Sequence, residues 1–83
     1  MHRNATPVLR FRGEQFQRHC RLLGLETAGA QAEHTGLSKW TVSRLLNGHI
    51  VPGEHVIACT LNAFPALKFE DFFEVVEAAG VAA

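Results

Sequence analysis

Residues 27–47 read TAGAQAEHTGLSKWTVSRLLN, and their pattern is that of two short helices, 27–35 and 38–46, around a tight turn. Thr27 stands where a helix N-cap is wanted, and the segment after it carries small residues, Ala28 and Ala32, on one face. Small side chains at a helix contact set how closely the partner helix can approach. Gly36 supplies the turn, because a sharp reversal calls for a positive φ that glycine adopts without steric cost. Leu37 follows as an apolar plug, Ser38 caps the second helix, and Asn47-Gly48 end it. In that second helix Val42, Leu45 and Leu46 lie at i, i+3 and i+4, which makes one stripe to bury. Lys39, Trp40, Ser43 and Arg44 are left on the outer face.

Upstream, Phe16, Cys20 and Leu23 recur at helical spacing while Glu14, Gln17, Arg18 and Arg21 face water, so a first helix is expected from Gly13 to Leu23, stopped by Gly24. Downstream, a loop from His49 to Gly53 holds Pro52. Val56, Ile57, Thr60, Leu61 and Phe64 then outline a fourth helix that must stop before Pro65. Phe69, Phe72, Phe73 and Val76 at i, i+3, i+4 and i+7 predict a fifth. The expectation is an all-α domain of five helices over residues 13–79, with a frayed tail at 80–83. Residues 1–12 form a basic N-terminal arm in which Leu9 and Phe11 alternate with Arg10 and Arg12. That period of two is open to a short strand, an ordered arm or the first turn of helix one.

At 83 residues the chain has room for one core. A hydrophobic content of 47% argues against disorder, and no apolar run is long enough to span a bilayer. The cationic N-terminus is not followed by a signal-peptide segment, so a soluble, cytoplasmic protein is expected. Cys20 and Cys59 fall in apolar helical patterns and read as reduced core thiols. Formal net charge is zero, yet residues 1–44 hold Arg3, Arg10, Arg12, Arg18, Arg21, Lys39 and Arg44 against Glu14, Glu26 and Glu33. The remainder holds Lys68 against Glu54, Glu70, Asp71, Glu74 and Glu77. Such asymmetry fits a chain that offers one part of itself to a polyanion. No nucleophile with a base, no paired carboxylates and no ligand cluster stands out, so no enzyme activity and no cofactor are expected. His55 and Cys59 at i, i+4 supply only one side of a metal site, and metal binding is not expected.

Residues 28–47 resemble the helix-turn-helix signature of phage repressors of the lambda and Cro type. Ala32 stands at the small contact position, Gly36 at the turn, and Val42 and Leu45 at the apolar pair that fastens the second helix. Leu23-Gly24-Leu25, Leu46-Asn47-Gly48, and the segment Leu61-Asn62-Ala63-Phe64 followed by Phe69-Glu70-Asp71-Phe72 extend the resemblance over about residues 13–76. It implies a compact lambda-repressor-like DNA-binding domain, with 27–35 as supporting helix and 38–46 as recognition helix in the major groove. The implied partner is a double-stranded DNA operator. The implied function is sequence-specific transcription regulation by a small, Cro-like phage or prophage repressor.

Carried over by position, Lys39, Trp40, Ser43 and Arg44 become base contacts, with Arg44 able to fork onto guanine O6 and N7. Trp40 is either a contact to a thymine methyl or sugar, or a lid over a neighbouring helix. Thr27, Ser38, Thr41 and Asn47, with Arg10, Arg12, Arg18 and Arg21, become phosphate contacts. A second copy is a further expected partner, through the C-terminal helix or the N-terminal arm. The chain departs from the family pattern at Gln31, where leucine is usual, and by one extra residue between Leu25 and Ala32. Thr27 or Ala28 stands in place of a phosphate-clamping glutamine, and Lys68 takes a capping position. The competing reading is a protein-interaction module, such as an antitoxin or polymerase-contacting protein, resting on the Phe69, Phe72, Phe73, Val76 stripe with Val75 beside it.

Overall fold

A computed structural model describes residues 6–77. The start of the expected arm, before residue 6, and the expected tail at 80–83 lie outside the described residues. In chain order the elements are β1 (Pro7–Phe11), α1 (Gly13–Leu22), α2 (Ala28–Thr35), α3 (Lys39–Leu46), α4 (Glu54–Ala63), α5 (Phe69–Phe72) and β2 (Phe73–Glu77).

The expected all-α architecture is corrected here: five helices are joined by a two-stranded antiparallel sheet, and the fold is mixed α/β. The long fifth helix does not form. It makes a single turn and stops at Phe73, whose φ of −135° and ψ of 147° are those of a strand. The sequence Phe73-Glu74-Val75-Val76-Glu77 holds two adjacent β-branched residues, which lose rotamer freedom in a helix and suit a pleated surface. What decides the matter is a partner strand from the other end of the chain. Val8 pairs with Val76, Leu9 with Val75, Arg10 with Glu74 and Phe11 with Phe73. The Arg10 guanidinium forms a salt bridge with the Glu74 carboxylate, and the Arg12 amide donates to the Phe72 carbonyl at 2.7 Å. Of the three alternatives left open for the first residues, the period of two is realised as a strand.

The sheet also serves the core. Phe11 and Phe73 turn inward and join Phe16, Phe64 and Phe72, all buried. Ring centroids lie 5.3 Å apart for Phe11–Phe16 and 5.1 Å for Phe64–Phe72, within the range where aromatic pairs attract beyond simple burial. Cys20 on α1, Val42 and Leu45 on α3 and Val56 on α4 complete this core. Leu23 does not join it. Helix α1 ends at Leu22, and Leu23 as its C-cap points outward at 55% exposure. Cys59 is likewise only half-buried, with its sulfur 3.6 Å from His55 Nε2.

Helix α5 starts without a conventional cap, as the lysine at its N-cap foretells. The Lys68 ammonium has no lone pair with which to accept a backbone N–H. The carboxylate of Asp71 instead reaches back to accept the Lys68 amide at 2.7 Å, which satisfies one of the donors a helix start leaves open.

Candidate nucleic-acid interface

Helices α2 and α3 are set by local chemistry at both starts and at the turn between them. Thr27 is extended, and its hydroxyl accepts the Ala30 amide at 3.1 Å. Ser38 does the same for the Thr41 amide at 3.0 Å, and its own proton goes to Thr41 Oγ1 at 2.9 Å. Gly36 has φ +84°, the left-handed conformation expected of the turn, and its amide donates to the Ala32 carbonyl. The Thr35 hydroxyl stiffens that turn from within: it donates to the Gln31 carbonyl at 2.9 Å and accepts the Leu37 amide at 3.2 Å. Leu37 is buried beneath.

Three of the four framework positions sit inside the molecule, and Gly36, at the turn, is exposed. Ala32 keeps 7% of its surface, Val42 1% and Leu45 3%, so α3 is fastened by its inner stripe. Gln31, where leucine was the usual residue, is also buried, and both of its bonds are made by one amide. Its Nε2 donates to Gln17 Oε1 at 3.1 Å and to the Leu25 carbonyl at 3.0 Å. The glutamine thus ties α2 both to α1 and to the connection between them, and a buried polar group bonded in this way does not carry a desolvation penalty uncompensated.

The outer face of α3 carries the four expected base-contact residues. Lys39, Trp40 and Ser43 are exposed, and Arg44 is half-buried. The Lys39 stem runs past Gly29, close enough that a Cβ at Gly29 would sit 3.6 Å from its Cδ. Trp40 does not cover a neighbouring helix: it is 67% exposed, and the Arg44 guanidinium carbon lies 4.7 Å from its ring centroid. Their spacing of four on a helix was the available signal that they touch.

The expected phosphate contacts divide into three groups. Arg18 and Arg21 are exposed on α1 and Asn47 is exposed at the end of α3. Thr27, Ser38 and Thr41 are engaged in capping, although the Thr27 and Thr41 hydroxyl protons stay available to an acceptor. Arg10 and Arg12 are turned to the second half of the chain: Arg10 pairs with Glu74, and Arg12 Nη1 donates to the Glu70 carbonyl at 2.9 Å. The charge asymmetry between halves is therefore not carried over intact into space, because the sheet brings these two arginines against the acidic C-terminal segment.

Two further histidines have structural partners. His34 Nε2 donates to the Ala63 carbonyl at 2.9 Å, which links α2 to α4, and its ring meets Phe64 edge-on. His19 lies edge-on to Phe72. Among the described residues no three His, Cys, Asp or Glu side chains come together as a metal site, and no helix is long and apolar enough to cross a membrane. Comparison with known protein families, characterised proteins and solved structures finds no match for this chain.

Proposed function

We propose that this protein is a sequence-specific binder of double-stranded DNA that regulates transcription in the cytoplasm, a small non-enzymatic repressor of the lambda and Cro type, with α3 lying in the major groove. One observation carries the reading. Helix α3 is anchored by a fully buried inner stripe, Val42 and Leu45, while Lys39, Trp40, Ser43 and Arg44 on its outer side make no hydrogen bond or salt bridge through their side chains among the described residues. Their donors, Arg44 Nε excepted because it is enclosed, are free for a ligand, and an α-helix with such a face fits the width of the groove. Arg18, Arg21 and Asn47, with the donors at the start of α2, are the phosphate contacts this reading favours. The charge of Arg10 is already met by Glu74.

The interaction-module reading loses its main support. Phe72 and Phe73 are spent in the core and Val76 is half-buried, which leaves Phe69 at 37% exposure as the exposed member of the stripe, with Val75 at 67% beside it. Of the two meeting places expected for a second copy, as a two-fold operator would require, the N-terminal arm is the one this reading favours, through its strand β1. Among the described residues the C-terminal segment forms one helical turn and a strand rather than a long helix, and each strand of the β1–β2 ribbon keeps one edge unpaired.

The test is equilibrium binding of the full chain to random and to selected duplexes across a salt series, expressed as a specificity ratio. Selective binding is expected. Arg44→Ala should lower it by roughly 1–3 kcal/mol and relax the preference at one base pair. Uniform, steeply salt-sensitive binding to every duplex would overturn the regulator reading.

A further inference from the structure

We infer that Trp40 is a positioning residue: it holds the Arg44 guanidinium so that its two terminal nitrogens read the O6 and N7 edge of a guanine. The inference rests on the DNA-binding reading above and says how that surface discriminates. Trp40 is the only tryptophan of the chain and keeps two-thirds of its surface in water. A large aromatic ring left outside gains little from folding, so its place on the helix calls for another cause. The structure gives it one contact of note, the guanidinium one helical turn on, at stacking distance. Its ring has no aromatic partner among the described residues.

Arg44 is described by the same contact from the other side. Its Nε is enclosed and has no hydrogen-bond partner. A fork made of Nε and one terminal nitrogen is therefore closed, and the fork of the two Nη nitrogens is the one left to a ligand. Guanine is the base that presents two acceptors side by side in the major groove. An arginine that already rests over an aromatic face loses less side-chain freedom on binding than one that must be ordered from solvent. The stack thus favours a paired, directional contact over a diffuse one to phosphate.

The experiment takes a duplex selected from a random pool and replaces its guanines one at a time with 7-deazaguanine, which lacks the N7 acceptor. The native chain is expected to lose about tenfold in affinity at one guanine. Trp40→Phe keeps most of that penalty, because a ring remains. Trp40→Ala loses it, and the double variant with Arg44→Ala binds no worse than Arg44→Ala alone. Thermal melting should leave Trp40→Ala close to native, since its surface is already in water. In the free chain, Arg44→Ala should shift the emission of Trp40. An undiminished guanine penalty in Trp40→Ala, or unchanged emission in Arg44→Ala, would overturn the positioning role while DNA binding stands. A penalty that survives in Arg44→Ala would remove Arg44 as the reader. Failure to select any duplex would instead overturn the function itself.

Discussion

Phe11 of β1 stands opposite Phe73 of β2, with ring centroids 5.7 Å apart and both side chains buried. The pair joins the two ends of the described chain and presses both strands onto the core, since Phe11 also meets Phe16. Phe73→Ala should therefore cost about 3–5 kcal/mol, the range for emptying a buried phenylalanine site. Urea unfolding is the measurement. Val75→Ala on the same strand, at an exposed site, should change stability by less than about 0.5 kcal/mol. Equal effects at the two positions would mean that β2 is not held to the core through Phe73.

Gly36 makes its turn in a conformation that suits glycine alone. Its φ of +84° is unfavourable for any L side chain, although a Cβ there would meet nothing within 4 Å. Gly36→Ala should thus lose about 1 kcal/mol from backbone conformation alone. Gly53 has no neighbour within 4 Å either, but its φ is −106°, so Gly53→Ala serves as the comparison and should lose only roughly the few tenths of a kcal/mol that alanine costs at the N-cap of α4. Thermal melting of both variants distinguishes backbone strain from loss of space.

The thiols should behave differently from one another. Burial pushes the Cys20 thiol up from 9.0 to about 11. Below pH 9 it is neutral in folded and unfolded chains alike and has no effect on stability. Between pH 9 and about 11 the unfolded chain gives up this proton first, so it binds fewer protons than the native state and stability falls with rising pH. That alkaline slope should shrink in Cys20→Ala. At neutral pH a thiol reagent should modify the half-buried Cys59 and spare Cys20 until the chain unfolds. Rapid labelling of both thiols in the native protein would contradict this.

Arginines that look equivalent in the sequence should differ in the salt dependence of DNA binding. Arg18→Ala and Arg21→Ala should each reduce the log–log salt slope by about one. Arg10→Ala should leave the slope nearly unchanged, because its charge is neutralised by Glu74 before DNA arrives. A drop at Arg10 equal to that at Arg18 would place β1 on the nucleic acid.

The parts of this molecule legible in the sequence are those fixed by neighbours a few residues away. Thr27 and Ser38 cap α2 and α3 with bonds that span three residues, Gly36 makes its turn by its own φ, and Val42 and Leu45 find the core by helical period. The outer residues of α3 follow by subtraction. Gln31 was visible only as a departure from a pattern. Its partners, Gln17 and the Leu25 carbonyl, belong to other segments, and no local rule names them.

The end of the chain shows where such reasoning stops. Phe69, Phe72, Phe73 and Val76 satisfy a helical period, and Leu9 with Phe11 satisfies a strand period, but neither stretch contains the information that they meet. Once β1 lies beside it, a strand at Phe73–Glu77 gains ladder hydrogen bonds, the Phe11–Phe73 contact and the Arg10–Glu74 pair, none of which a helix there would have. Sequence alone thus determined the two capped helices, the glycine turn and the face α3 turns outward, because each depends on short-range bonds. Only the tertiary structure decided that the last helix becomes a strand and that Arg10 and Arg12 serve the fold, because those outcomes are set by which distant groups are brought within reach.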